Sequence, residues 1–253
     1  MINFAKSIIK KTPLSPLFHK LYYKLGLSSQ NDIYNRQTIE VMKRCLYEDS
    51  ICIDVGANRG EVLQEIIAIA PNSKHFVFEP IPDLANFLRD RYPDLQVYEL
   101  ALSDRQQEVE FQYIVNMSGY SGLGNRKIHA TATGIEPEIK KISVRTDTLD
   151  NIIPSSTKVS FIKIDIEGAE YLAMRGGVET IAKNKPIIVF EVEKDTLSLF
   201  EITPEKIYDF LTNECQLKVS TMKRWLEDKP EYSKKYFCNS VNFHVDSYFI
   251  AYL

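Results

Sequence analysis

Ile51-Cys52-Ile53-Asp54-Val55-Gly56-Ala57-Asn58-Arg59-Gly60 decides the reading of this chain. A short apolar run meets an Asp, and a turn with two glycines follows. An apolar run of this length with Ile and Val predicts a buried parallel strand. Gly56 and Gly60 have no Cβ, so the backbone there is free to turn sharply and to approach a ligand. Val62, Leu63, Ile66, Ile67 and Ala70 then recur at helical spacing, and Pro71 ends the helix. Strand, glycine turn and helix open a nucleotide-binding βαβ unit. An ordinary glycine-containing βα turn has the same outline and stays open as the plainer reading.

The spacing is not that of a dinucleotide fingerprint. Asn58 stands where that pattern needs Gly, and Glu61 where it needs Gly or Ala. No Gly-Lys-Ser/Thr phosphate loop occurs either. A strand ending in Asp-x-Gly suits a ligand with no phosphates to cradle and leaves the loop free to hold an amino-acid moiety. That points to S-adenosyl-L-methionine. Lys74 to Pro80 predicts a second strand with Glu79 at its carboxyl end. An acid there, roughly 20 residues on, hydrogen-bonds ribose hydroxyls in doubly wound sheets. Leu95 to Leu102 predicts a third strand, followed by Ser103-Asp104. Ligands lie across the carboxyl ends of such strands, so these residues are expected in one crevice.

The 253 residues allow one large α/β domain or two small ones. With 44% apolar and 26% charged residues the composition is that of a globular protein, and a net charge of −3 argues against a nucleic-acid surface. Residues 1–31 hold five Lys and no acid, leaving 26 basic against 34 acidic residues in the rest. That segment, broken by Pro13 and Pro16 into two short helical pieces, reads as a cap on the domain; as a basic amphipathic stretch it also fits peripheral membrane contact. Cys45, Cys52, Cys215 and Cys238 lack metal or redox spacing and read as reduced, hence cytoplasmic. No apolar run is long enough for a membrane span, and no signal peptide is evident.

Residues 1–48 are expected to form an N-terminal helical cap segment, including a helix over 36–47, and 49–253 the catalytic domain. A helix starts near Asp83 behind Pro82. Gln107–Ile114 and Ile139–Arg145 alternate as strands. Between them, residues 115–138 are rich in Gly, Ser, Asn and Thr and read as a lid or substrate loop. Val159–Ile166 predicts a strand, Ala169 to Gly176-Gly177 a helix, Pro186–Val192 a strand bearing Glu191, and Thr203–Asn213 a helix. Leu217–Met222 and Val241–Leu253 are expected to close the sheet as an antiparallel pair. The predicted fold is α/β: a doubly wound, mostly parallel, Rossmann-like sheet of about seven strands with a final antiparallel hairpin.

Several of these pieces together resemble the FkbM family of S-adenosylmethionine-dependent methyltransferases. They are Ile53–Gly60, Phe78-Glu79-Pro80, Ala101–Asp104, the Ser-Gly loop at Ser121, Arg145–Asp150, and Ile162-Lys163-Ile164-Asp165-Ile166-Glu167-Gly168-Ala169-Glu170. They stand in the family's order over about residues 50–195. The resemblance implies a seven-stranded methyltransferase fold and methyl transfer to a hydroxyl on a sugar, glycolipid or natural product. It implies that Asp54, Gly56 and Asn58 hold the methionine end, with Ala57 and Gly60 in the same loop. Glu79 would hold the ribose, and Leu102 and Ser103 would flank the adenine. Asp165 would face the methionine end and the reacting centre. The acceptor, a small molecule or glycan, is not carried over from the poorly matched C-terminal portion.

Oxygen methylation needs a base or a metal as well as an in-line acceptor. Asp165 is the first candidate base and Glu191 the second; together they also have the makings of a magnesium pair, although no metal site is assigned. Glu167 reads as a helix-entry or structural acid, because the glycine after it ends the strand. His129, in the long loop, is an alternative base; His75 and His244 read as structural strand residues and His19 as part of the basic segment. Two other classes remain: a cofactor-binding scaffold without catalysis, and an NAD-dependent enzyme, which the broken glycine pattern disfavours.

Overall fold

The computed structural model describes residues 30–127 and 135–253. Most of the basic N-terminal segment with His19, and His129 of the long loop, lie outside the described residues. Ten strands follow in chain order: β1 (Ile51–Val55), β2 (Phe76–Phe78), β3 (Gln96–Tyr98), β4 (Ala101–Leu102), β5 (Gln107–Ile114), β6 (Ile139–Asp147), β7 (Val159–Ile164), β8 (Ile187–Glu191), β9 (Lys218–Thr221) and β10 (Tyr248–Tyr252).

Seven of them form one sheet in the order β3-β2-β1-β7-β8-β10-β9. β3, β2, β1, β7 and β8 run parallel, and β10 pairs antiparallel with both β8 and β9. Strand order reverses between β1 and β7, which makes the crevice at their carboxyl ends the topological switch point. The central strands read as continuous apolar runs because helices cover both faces. β7 carries Phe161, Ile162 and Ile164, all 2% exposed or less. The antiparallel end of the sheet is packed by aromatics: Phe249 lies 6.1 Å from Phe190 and 4.8 Å from Phe237, centroid to centroid. Truncating one of these fully buried rings costs about 3–5 kcal/mol. His75 fastens the entry to β1: Nδ1 accepts the Cys52 N–H at 3.3 Å, Nε2 lies 2.9 Å from the Ala70 carbonyl, and burial lowers its pKa.

The third expected strand, Leu95–Leu102, is two strands. β3 belongs to the main sheet, but the chain turns out at exposed Glu99, and Ala101–Leu102 joins a separate three-stranded sheet, β4-β6-β5. That sheet packs through Ala101, Phe111 and Val144 on Ile81 and Leu84 at the start of the helix Pro82–Arg91. β7 stops at Ile164, two residues short of expectation, and Glu167 and Gly168 in the turn beyond it adopt positive φ (58° and 104°). After Gly176-Gly177 a further helix, Val178–Asn184, was not anticipated. The helix from Pro204 ends at Asp209 and continues as a π turn, Phe210–Glu214. Val241 belongs to the helix Lys234–Asn242, and His244 (φ 52°) follows it in a turn, so neither is in the last strand. The first described helix is Gln30–Cys45. In the expected loop, Ser118–Tyr120 make a short 3-10 turn and Gly122 bridges back to Gln112.

Candidate active site

Asp54 lies inside β1 opposite Lys163 of β7 and is 1% exposed. Neither carboxylate oxygen has a hydrogen-bond partner among the described residues; the nearest cation is Lys163 Nζ, 3.8 Å from Oδ1. Burial raises its pKa, Lys163 opposes that, and Asp165 adds to it. An orphaned buried carboxylate is costly unless something pairs with it. The chain crosses over Asp54 at Gly56 (φ 75°), where a Cβ would stand 2.2 Å from the Asp165 carbonyl oxygen. Gly60 (φ 78°) likewise faces Leu88 and Tyr92. Both glycines therefore serve close packing of protein on protein, beside whatever room they leave a ligand. The amides of Gly56 and Ala57 donate to the Phe78 carbonyl, which fastens the loop to the end of β2.

Glu79, just past β2 and 3% exposed, receives the Asn58 N–H on Oε2 at 2.7 Å and the Ile81 N–H on Oε1 at 2.9 Å. Burial pushes its carboxyl up to about 7, against these two N–H groups and Lys163. Each oxygen keeps a free lone pair for a ligand hydroxyl. Asn58 adopts left-handed backbone (φ 49°), and its Oδ1 accepts from the Ser118 hydroxyl at 3.2 Å, which ties the long loop to the glycine loop. Leu102 is buried in one cluster with Val55, Phe78 and Leu100. Ser103 is also buried; its N–H donates to the Asp147 carbonyl, and its own carbonyl leaves no room for a Cβ at Gly176.

The carboxyl ends of β7 and β8 bring Asp165 and Glu191 together, and β10 adds Tyr248 opposite Glu191. The Tyr248 hydroxyl donates to Asp165 Oδ2 at 2.7 Å. Its pKa is driven up by burial and by the carboxylates of Asp165 and Glu191, so the phenol stays a donor. Burial, with Asp165, Glu167, Glu170 and Glu193 around it, raises Glu191 well above an ordinary carboxyl. Glu170 (1% exposed) shapes the turn beneath: Oε1 accepts the N–H groups of Ile166 at 3.0 Å and Gly168 at 3.1 Å. Glu167 does not continue the strand; it turns to pair with Arg126 of the long loop, whose guanidinium also reaches Glu193 at 3.5 Å.

Asp54, Asn58, Glu79, Asp165 and Glu191 thus gather at the carboxyl ends of β1, β2, β7 and β8, at the switch point, while Leu102 ends β4 in the core beside Val55 and Phe78, and Ser103 follows it, packed on Asp147 and Gly176. Tyr248 and Arg126 carry no signal of their own in the sequence, whereas Glu170 closes the quoted motif from Ile162 without a role of its own there. Tyr248 emerges only once β10 is inserted beside β8. Arg126 comes from the loop read as a lid or substrate loop, where nothing singles it out, and Glu170 is an acid four residues after Ile166.

Residues 54–218, more than half of the chain, match the Methyltransferase FkbM domain family. The 2-O-methyltransferase NoeI of Sinorhizobium fredii is 27% identical over 163 residues, 60% of this chain and 65% of that protein. The AMB antimetabolite synthetase AmbE of Pseudomonas aeruginosa is 30% identical over 115 residues, 44% of this chain and 5% of that protein. The chain thus spans less than two thirds of either relative's length. The crystal structure of methyltransferase FkbM from Methylobacillus flagellatus matches 82% of this chain and 44% of its own, with a TM-score of 0.50 at 16% identity, a likeness of fold. Sheet order, switch-point crevice and family match agree, and the chain belongs to the FkbM methyltransferase family.

Proposed function

We propose that the protein transfers the methyl group of S-adenosylmethionine to a hydroxyl oxygen of a sugar, glycolipid or other small-molecule acceptor. The observation that carries this reading is Asp54: a fully buried carboxylate with no hydrogen-bond partner among the described residues, under a loop that also leads to Glu79. Such a group fits the ammonium of an amino-acid moiety, and Glu79 fits the ribose hydroxyls. Asn58, Ala57, Gly56 and Gly60 form the loop between them, with Leu102 and Ser103 on the adenine side. The cofactor supplies an electrophilic methyl carbon bound to a sulfonium.

The chain's own groups then have three tasks. The first is to hold the acceptor oxygen in line with that carbon, worth several kcal/mol when the approach is near-attack. The second is to take the hydroxyl proton. Asp165 suits this: Tyr248 occupies Oδ2, which leaves Oδ1 for the acceptor, and the side chain is 28% exposed, open enough to be reached. The third is to keep Glu191 from competing. Burial and the acids around it raise its affinity for protons, so it serves as a hydrogen-bond donor and not as a second base. The 2-O-methyltransferase name of one relative supports a hydroxyl acceptor.

Thermal unfolding with S-adenosylhomocysteine, against NAD as control, tests the cofactor. At a hundredfold excess over Kd a native-state ligand adds roughly 2.7 kcal/mol of stability. A shift with S-adenosylhomocysteine alone supports the reading; a shift with NAD alone, or with neither, overturns it. Methyl transfer from labelled cofactor to a panel of hydroxyl acceptors then tests the chemistry.

A further inference from the structure

Lys163 is a lysine in the middle of a buried parallel strand, with a side chain 10% exposed. Register explains its surroundings. Asp54 stands directly opposite on β1, and Gly56 and Asp165 each lie two residues further along, on the same face as their partners. The ammonium donates to the Gly56 carbonyl at 3.0 Å and lies 3.5 Å from Asp165 Oδ2 and 3.8 Å from Asp54 Oδ1. It therefore touches the loop assigned to the cofactor and the acid assigned to the reacting centre at once. Glu79 from β2 and Glu191 from β8 also face it electrostatically. Burial alone disfavours a charged lysine. Here the carboxylates of Asp165 and Asp54 more than offset it, and the pKa of Lys163 rises. Packing gives no reason for this residue: any apolar side chain would fill a buried strand position at less cost.

We propose that Lys163 is a positioning residue for methyl transfer, an ammonium that ties the cofactor loop at Gly56 to the Asp54 and Asp165 carboxylates and makes them one electrostatic unit. The inference rests on the cofactor reading given above. The ammonium holds Asp165 where the acceptor oxygen needs it. At Asp54 it also opposes the desolvation that favours the neutral acid, and so readies that carboxylate for the ligand's ammonium. Lys163 opposes the protonation of Asp54 and Glu79, so its removal moves both toward their protonated forms.

Calorimetric titration of the full chain with S-adenosylhomocysteine, from about pH 5 to about pH 9, reads this unit without turnover. Lys163→Met keeps the aliphatic stem and removes the charge. Lys163→Gln keeps a donor for the Gly56 carbonyl and removes the charge, and serves alone where the Met variant does not fold. Lys163→Arg keeps the charge. Affinity falls on the acid side as the carboxylates protonate. For the Met and Gln variants that acid limb is expected to move up by about one pH unit or more, and Kd at neutral pH to rise roughly tenfold. For Lys163→Arg the limb stays where the wild type has it, whatever the affinity. Limbs of the Met and Gln variants that superimpose on the wild type overturn the inference and leave Lys163 a packing residue. So does an Arg limb displaced like theirs. A wild type that binds no S-adenosylhomocysteine overturns the cofactor reading and this inference together, whereas a wild type that binds, with limbs unmoved, overturns this inference alone.

Discussion

Asp165 has one oxygen committed to Tyr248 at 2.7 Å and one left for chemistry, so its two neighbours in function can be separated by substitution. Asp165→Asn keeps the shape and can still accept the phenol hydrogen, but it takes no proton from an alcohol. Loss of a general base costs about 10²–10⁴ in rate. Turnover of labelled cofactor is therefore expected to fall by at least about a hundredfold, with S-adenosylhomocysteine Kd changed little by comparison. A comparable loss of binding would place Asp165 in cofactor binding and make Glu191, the second candidate, the base. Tyr248→Phe removes the hydrogen bond that aims Asp165. A hydrogen bond to a charged group contributes about 1.5–3 kcal/mol, so kcat is expected to fall roughly ten- to a hundredfold while acceptor KM stays near wild type. A KM effect with kcat unchanged would move Tyr248 to the acceptor pocket.

At the scale of elements, the site exists because two turns come into van der Waals contact: the loop after β1 and the turn after β7. Gly56 is the point of contact, and Ala there would put a Cβ 2.2 Å from the Asp165 carbonyl, at a φ of 75° that L side chains avoid. Gly56→Ala is expected to destabilise the protein by about 3 kcal/mol and to abolish S-adenosylhomocysteine binding. Gly119→Ala, where a Cβ meets nothing within 4 Å, is the control and is expected to leave both unchanged. A Gly56 variant that binds normally would show the loop free to move off Asp165. The elements that build this contact were legible, because β1, β2, β7 and β8 are apolar runs ending in acids and glycines. Asp54, Glu79, Asp165 and Glu191 could be named as strand-end acids for that reason. The break at Glu99-Leu100 was not legible: local composition favours a strand throughout, and only the packing of Ala101 against Ile81 shows where the chain leaves the sheet. Tyr248 was hidden for a related reason. Insertion of β10 between β8 and β9 is a long-range pairing, which no local periodicity encodes.

Across the whole molecule, the crevice gathers carboxyls that burial has made reluctant to ionise. Glu79 and Glu170 are pushed up to about 7 and Glu167 to about 8, and Asp54 and Glu191 move in the same direction. Unfolding returns the glutamates to about 4.5. Between these limits the native state holds more protons than the unfolded one, so the linkage slope is negative. The stability these groups contribute is complete below about pH 4.5 and is lost as pH rises through about 7 to 8. Without ligand, Tm is therefore expected to decline between about pH 5 and about pH 8. Glu170→Gln, which keeps an oxygen for the Ile166 and Gly168 amides, should flatten part of that decline. Ligand reverses the sign. An ammonium on Asp54 and hydroxyls on Glu79 favour the ionised acids, so the Tm increment given by S-adenosylhomocysteine should grow over the same range. Glu170 lies under the turn and not in the cofactor loop, so Glu170→Gln should leave the growth of that increment intact, whereas Glu79→Gln should blunt it. An increment that shrinks as pH rises would mean that the ligand binds the protonated crevice, and Asp54 would then lose its place as the partner of the amino-acid moiety.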